Sequence, residues 1–67
     1  MKVILNGDSY KTEKKTLQAL FEETHPDSTS EGKAIAVNNE VIPSDQWDDY
    51  EIKDDDRIEV IQAVQGG

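Results

Sequence analysis

Residues 16–26 read Thr16-Leu17-Gln18-Ala19-Leu20-Phe21-Glu22-Glu23-Thr24-His25-Pro26. Leu17, Leu20, Phe21 and Thr24 recur at i, i+3, i+4 and i+7, the spacing of one face of an amphipathic helix of about two to three turns. Glu22 and Glu23 fall on its outer face, and Thr16 is placed to cap the first turn. His25-Pro26 ends the helix, because proline disfavours helical backbone in the residue before it. Upstream, Met1, Val3 and Leu5 alternate with Lys2 and Ile4. Asn6-Gly7-Asp8 then supplies a turn and Ser9 to Thr12 reads as a return strand, which together make a hairpin signature. Downstream, Asp27 to Gly32 is a polar connection, and Ala34 to Val37 is a short apolar run. Asn38-Asn39-Glu40 reverses the chain into Val41-Ile42, and Asn39 tolerates the left-handed backbone that such a turn demands. Pro43 closes that strand, Ser44 is placed to cap a short helical turn, and Trp47 and Tyr50 are expected to seal the edge of the core. Lys53-Asp54-Asp55-Asp56 is a charged turn, read as solvated, before a last strand in which Ile58 and Val60 alternate with Arg57, Glu59 and Ile61.

The order is strand, strand, helix, strand, strand, short helical turn, strand. One helix crossing a mixed sheet of four to five strands is the β-grasp arrangement, an α+β fold. That fold type, and not the periodicity, implies a first and a last strand lying adjacent and parallel at the centre of the sheet. Residues 1–63 are expected to form one domain and residues 64–67 a flexible tail.

Composition bounds the rest. Sixty-seven residues allow one small domain that buries about 60% of the surface its unfolded chain exposes. The absence of cysteine excludes disulfides, zinc ribbons, thiolate nucleophiles and iron–sulfur clusters. Fifteen acids against seven bases give a net charge of −8, which argues against nucleic acid and anionic membranes as partners. Nine of the acids and only two of the bases fall in residues 34–67, so the acidic half is the C-terminal one, suited either to solubility or to steering toward a basic partner. No apolar stretch approaches a membrane span and the N-terminus lacks the layout of a signal peptide, so a soluble, cytoplasmic protein is expected, monomeric when free.

A catalytic site fails by subtraction. There is one histidine, no phosphate-binding glycine loop and no carboxylate pair in a recognisable cleft. His25 reads as a surface residue that complements the helix dipole. Asp54-Asp55-Asp56 and the group Asp45, Asp48, Asp49, Glu51 lack the alternating acids, bend glycine and closing glutamate of a calcium loop.

The informative feature is Gly66-Gly67. Two terminal glycines arise by chance in roughly one chain in two hundred, and a pair without Cβ atoms suits a tail threaded through a narrow channel of another protein. A carboxylate there becomes an electrophile once adenylated, and four extended residues from Val64 reach about 13 Å. A frayed terminus is the competing reading of the glycine pair taken alone.

The whole chain resembles the ThiS sulfur-carrier family of thiamine biosynthesis, within the ubiquitin-like β-grasp superfamily. The matching residues are Asn6-Gly7, Thr16-Leu17, Ala36-Val37-Asn38 and Glu40-Val41-Ile42-Pro43 with Trp47 four residues on. They continue in the acidic turn before Arg57-Ile58-Glu59-Val60-Ile61-Gln62-Ala63-Val64, and in the closing Gly66-Gly67. The specific parts are the Asn-x-Glu-x-x-Pro-x-x-x-Trp block and the Gln-x-x-x-Gly-Gly ending. Asn39 and Asp55 depart from the pattern by standing where glycine is common. The resemblance implies a protein cosubstrate and not an enzyme. A ThiF-type, E1-like enzyme would use ATP and magnesium to adenylate Gly67, and a persulfide donor would convert it to a thiocarboxylate. A ThiG-type thiazole synthase would then take the sulfur. Val64, Gln65 and Gly66 would form the part of the tail that partners grip, and the carrier itself would bind no cofactor. If the helix covers the sheet face holding Val3, Leu5, Ile58 and Val60, then Ile4, Ile61 and Ala63 point the other way, as a partner-docking surface beside the tail. The alternatives are the molybdopterin-synthase small subunit, which also ends in Gly-Gly, and a ubiquitin-like modifier or interaction module without sulfur chemistry.

Overall fold

A computed structural model of the protein describes residues 1–62. Five strands and one helix follow in the order β1 (Lys2–Leu5), β2 (Asp8–Lys11), α1 (Leu17–Thr24), β3 (Lys33–Val37), β4 (Glu40–Ile42), a single 3-10 turn (Ser44–Gln46) and β5 (Arg57–Gln62). The strands form one mixed sheet in the order β2-β1-β5-β3-β4. β1 and β5 pair in parallel, with Ile4 opposite Arg57 and Leu5 opposite Ile58. The other three pairings are antiparallel, so the first and last strands of the sequence sit side by side at the centre, as the β-grasp reading expects.

Both hairpins turn on two residues, and all four central residues have positive φ: Asn6 (49°) with Gly7 (88°), and Asn38 (52°) with Asn39 (72°). Two consecutive left-handed residues match the right-handed twist of the flanking strands, which is why asparagine and glycine occupy these positions. Glu40 therefore belongs to β4, paired with Val37, and not to the turn as expected. The asparagine side chains do further work. Asn38 Oδ1 accepts from the Arg57 N–H at 3.0 Å and its Nδ2 donates to Asp56 Oδ1 at 3.1 Å, while Asn6 Oδ1 accepts from the Val60 N–H at 2.9 Å. Each turn thus also pins the central strand.

An eight-residue helix leaves its first N–H groups without intrahelical partners. Here the Leu17 N–H donates to the Tyr50 carbonyl at 3.0 Å, the Gln18 N–H to the Trp47 carbonyl at 3.0 Å and the Ala19 N–H to Thr16 Oγ1 at 3.2 Å. The segment after the 3-10 turn is consequently locked under the start of α1. Trp47 is fully buried, not at the edge of the core. Its ring packs against Phe21 at 5.2 Å between centroids, and its indole N–H donates to the Ile42 carbonyl at 2.8 Å. The sequence placed it at the edge because an isolated tryptophan in an acidic loop shows no periodicity; Tyr50, only half-buried, does lie at that edge. Around Trp47, the core consists of Leu17, Leu20 and Phe21 from the helix and of Val3, Ile35, Val37, Ile42 and Ile58 from the sheet, with Ile52 closing the loop side.

His25 is not a free surface residue. Its ring stacks on Phe21 at 5.1 Å with 9° between planes, and Nδ1 lies 2.8 Å from Thr24 Oγ1. The acidic turn is likewise more than a solvated loop. Asp54 Oδ1 accepts from the Lys2 N–H and Asp56 Oδ2 from the Lys53 N–H, each at 2.8 Å, and the Asp56 carbonyl accepts from the Ile4 N–H at 2.8 Å. The three adjacent acids are held together because two of them complete the backbone hydrogen bonding of β1 and of the turn itself.

Asp55 has φ of 70°, a left-handed backbone that costs a side-chain-bearing residue free energy. Its ion pair with Lys2 at 3.4 Å is exposed and contributes little. Asp55→Gly is expected to stabilise the domain by about 0.5 kcal/mol, read as a higher urea midpoint at unchanged slope.

Candidate functional site

The chain leaves β5, the central strand, at Gln62 and continues into Ala63, Val64, Gln65, Gly66 and Gly67, which lie outside the described residues. Of the expected site, Ile4 and Ile61 lie within the described residues. They do share a face. In the parallel register Ile4 lies beside Arg57, and alternation puts Arg57, Glu59 and Ile61 on that same side of β5. The opposite side carries Val3, Ile58 and Val60 toward the helix.

They do not form one patch. Ile61 lies four residues beyond Arg57 along β5, about 13 Å from the level of Ile4, with the Arg57 and Glu59 side chains between. Ile4 is also half-buried, whereas Ile61 is 47% exposed. The neighbours of Ile61 come from the other side of the strand. Ala34 is directly opposite it on β3, Ala36 is opposite Glu59, and Val41 on β4 is opposite Ala36. Val41 is 64% exposed. The apolar group near the end of β5 is thus Ile61, Ala34, Ala36 and Val41. The sequence contained the signal for it: a two-residue turn at Asn38-Asn39 fixes the pairing of Ala36 with Val41, and Ile35 and Ile42 facing the core send both the other way.

Beside Ile4, a shallow hollow is lined by Asn6, Gly7, Arg57 and Glu59, where β1 stops and β5 runs on. Asp45, Asp48, Asp49 and Glu51 are all exposed, and among the described residues no three His, Asp or Glu side chains gather as metal ligands. No helix among them is long and apolar enough to cross a membrane.

The perturbed ionisable groups lie elsewhere. On the outer edge of the helix, Glu23 Oε2 accepts from the Tyr10 hydroxyl at 2.8 Å and from the buried Thr12 hydroxyl at 2.9 Å. These two donors hold the Glu23 carboxyl below its ordinary value, and the same bond raises the Tyr10 phenol. Burial, followed by the Asp56 and Glu40 carboxylates, raises Tyr50. Such hydrogen bonds fasten α1 to β2, and their chemistry is structural.

The model of the ThiS family matches residues 3–67. The sulfur carrier protein ThiS of Escherichia coli (strain K12) is 33% identical to the chain over 52 residues, which cover 78% of this chain and 76% of that protein. The crystal structure of the thiamine biosynthesis protein ThiS from Geobacter metallireducens superposes with a TM-score of 0.85 over 100% of both chains at 21% identity, a likeness of fold.

The Glu23 contacts make a signed prediction. A carboxyl whose folded value is depressed contributes stability above its unfolded value, and that contribution is lost as pH falls through the folded one. In a pH titration followed by NMR, the Glu23 midpoint is expected below that of the unfolded chain. Tyr10→Phe should move it upward by removing the first of its two donors. An unmoved midpoint would show that the bond does not form in solution.

Proposed function

The chain belongs to the ThiS family, and from that premise we propose that it is a sulfur carrier of thiamine biosynthesis. The observation that carries the reading is the match of the family along residues 3–67, an extent that includes the Gly66-Gly67 ending. In this reading the protein is a cosubstrate, handled by other enzymes in the cytoplasm, and the chemistry is confined to the carboxylate of Gly67.

A carboxylate oxygen of Gly67 attacks the α-phosphorus of ATP in a magnesium-dependent activating enzyme of the ThiF type, and pyrophosphate leaves. The terminal sulfur of a persulfide donor then attacks the acyl carbon and displaces AMP, giving an acyl disulfide. A second thiol takes the outer sulfur of that disulfide, which leaves a thiocarboxylate on Gly67. Thiazole synthase of the ThiG type is the acceptor. Val64, Gln65 and Gly66 serve as the neck that passes through the enzyme sites, and glycine at 66 keeps the approach free of a Cβ. The described part of the chain supplies rigidity: β5 is paired with β1 at Arg57 and Ile58 and with β3 from Ile58 to Gln62, and the core lies beneath it. The net charge of −8, concentrated in the C-terminal half, favours encounter with a basic enzyme surface.

Ile61 and Val41, with Ala34 and Ala36 between them, form the docking surface in this reading, in place of a single patch joining Ile4 to Ile61 and Ala63. Ile61→Asp is expected to lower the activation rate at subsaturating protein about tenfold through loss of an apolar contact, with the urea midpoint nearly unchanged because the side chain is half exposed. A loss of fold in this variant would instead make Ile61 a core residue.

The reaction itself is tested by incubating the protein with the activating enzyme, ATP, magnesium and a persulfide donor, alkylating, and sequencing the C-terminal fragment by mass spectrometry. An alkyl-sulfur group on Gly67 is the expected product, and the absence of cysteine leaves no other thiol to be tagged. No tag, with a positive-control carrier modified in parallel, would overturn the sulfur reading. Deletion of Gly66-Gly67 should abolish the tag while leaving the fold intact.

A further inference from the structure

Strand β5 outlasts its neighbour β1. In a strand the N–H and C=O of one residue point to the same side and those of the next residue to the other. The Ile58 carbonyl accepts from the Asn6 N–H at 2.9 Å and the Val60 N–H donates to Asn6 Oδ1 at 2.9 Å, so the even-numbered residues of β5 face β1. The odd-numbered ones face β3, as the bond from the Asn38 N–H to the Arg57 carbonyl at 2.8 Å shows. β1 ends at Leu5 and the chain turns away at Asn6-Gly7, so the Asn6 side chain is the last rung on that side. Beyond it, the Val60 carbonyl and the Gln62 N–H point into the space that β1 has vacated. Among the described residues neither has a hydrogen-bond partner there. On the other side the pairing with β3 runs to the end of the strand, with Ala34 opposite Ile61 and Lys33 opposite Gln62. From the Val60 carbonyl to Gln62, β5 is therefore held extended along one edge and open along the other, with Gln62 exposed.

An open edge on a pre-extended strand is a template for strand addition. We propose that the enzyme that activates the C-terminal carboxylate holds this chain by adding an extended segment of its own backbone to the free edge of β5, donating to the Val60 carbonyl and accepting from the Gln62 N–H. The inference rests on the carrier reading and names how that partner grips its substrate. Gly67 lies five positions beyond Gln62, a span of at most about 17 Å. An enzyme that closes on Gly67 therefore meets the end of β5 as well, and bonds to its backbone fix the direction and register of the tail. A second copy of this chain is the competing occupant.

Amide hydrogen exchange of the full chain, alone and in complex with the activating enzyme, is the direct test. The Gln62 amide is expected to exchange rapidly in the free protein and at least tenfold more slowly in the complex. Gln62→Pro removes this donor without breaking a bond to β3, because Gln62 faces away from that strand. It should weaken binding about five- to tenfold, whereas Gln62→Ala, which keeps the N–H, should bind as the unsubstituted protein does. Equal exchange in the two states, or equal loss in the Pro and Ala variants, overturns the proposal. So does protection of Gln62 in the free protein that grows with its concentration, since that would make a second copy the occupant. Were Gln62→Pro not to fold, the exchange measurement on the unsubstituted chain decides. Failure of the carrier reading is a separate result, because the unsubstituted chain would then form no C-terminal adenylate or thiocarboxylate.

Discussion

The seating of Trp47 beneath the first turn of α1 is the constraint on which the rest of this small domain depends. A helix of eight residues is far shorter than one that persists alone in water. It exists here because the Trp47 and Tyr50 carbonyls take its leading N–H groups and the Trp47 ring fills the space below Phe21. The same indole bonds the Ile42 carbonyl, which ties the edge hairpin β3–β4 to the helix on the other side of the core. Remove that ring, and the helix loses its floor while β4 loses its anchor. With neither disulfide nor zinc ribbon available to a chain without cysteine, one buried aromatic does the joining.

The two asparagine turns act on the opposite side of this architecture. Each places a side-chain carbonyl against β5, Asn38 at its beginning and Asn6 toward its end. The central strand is thus pinned by residues that sequence reading assigns only to chain reversal. Asn6 also limits the parallel pairing: its amide satisfies Val60 and then the chain departs, so the strand that leads to the C-terminal residues emerges with one side bare.

Most of this fold was legible in the sequence because its signals are periodic. Leu17, Leu20, Phe21 and Thr24 give the helix, and Ile58 and Val60 give the last strand. Asn6-Gly7 and Asn38-Asn39 give the hairpins, within a residue of the observed boundaries. The central, parallel placement of β1 and β5 came from the fold type alone, since strand order leaves no periodic trace. Trp47 was misplaced because its position depends on a loop that docks from a distance, and the roles of Asp54 and Asp56 were hidden because a carboxylate bonded to a backbone N–H looks like any other acid in a turn. The candidate site was legible in a different way. Gly66 and Gly67 stand out by composition and by family resemblance, whereas the outward-facing group of Ile61, Ala34 and Val41 emerges only when the register of three strands is combined.

The parallel pair at the centre of the sheet has a consequence for how the protein comes into being. Ile4 and Arg57 are partners across almost the whole length of the chain, so the contact that completes the sheet is among its most distant in sequence and closes last in entropic terms. A nascent chain that has not yet released β5 lacks its middle strand and cannot assemble a sheet from the two separate hairpins. Synthesis thereby couples folding to the arrival of β5: a translation product that stops before Arg57 has both hairpins but not the strand that joins them.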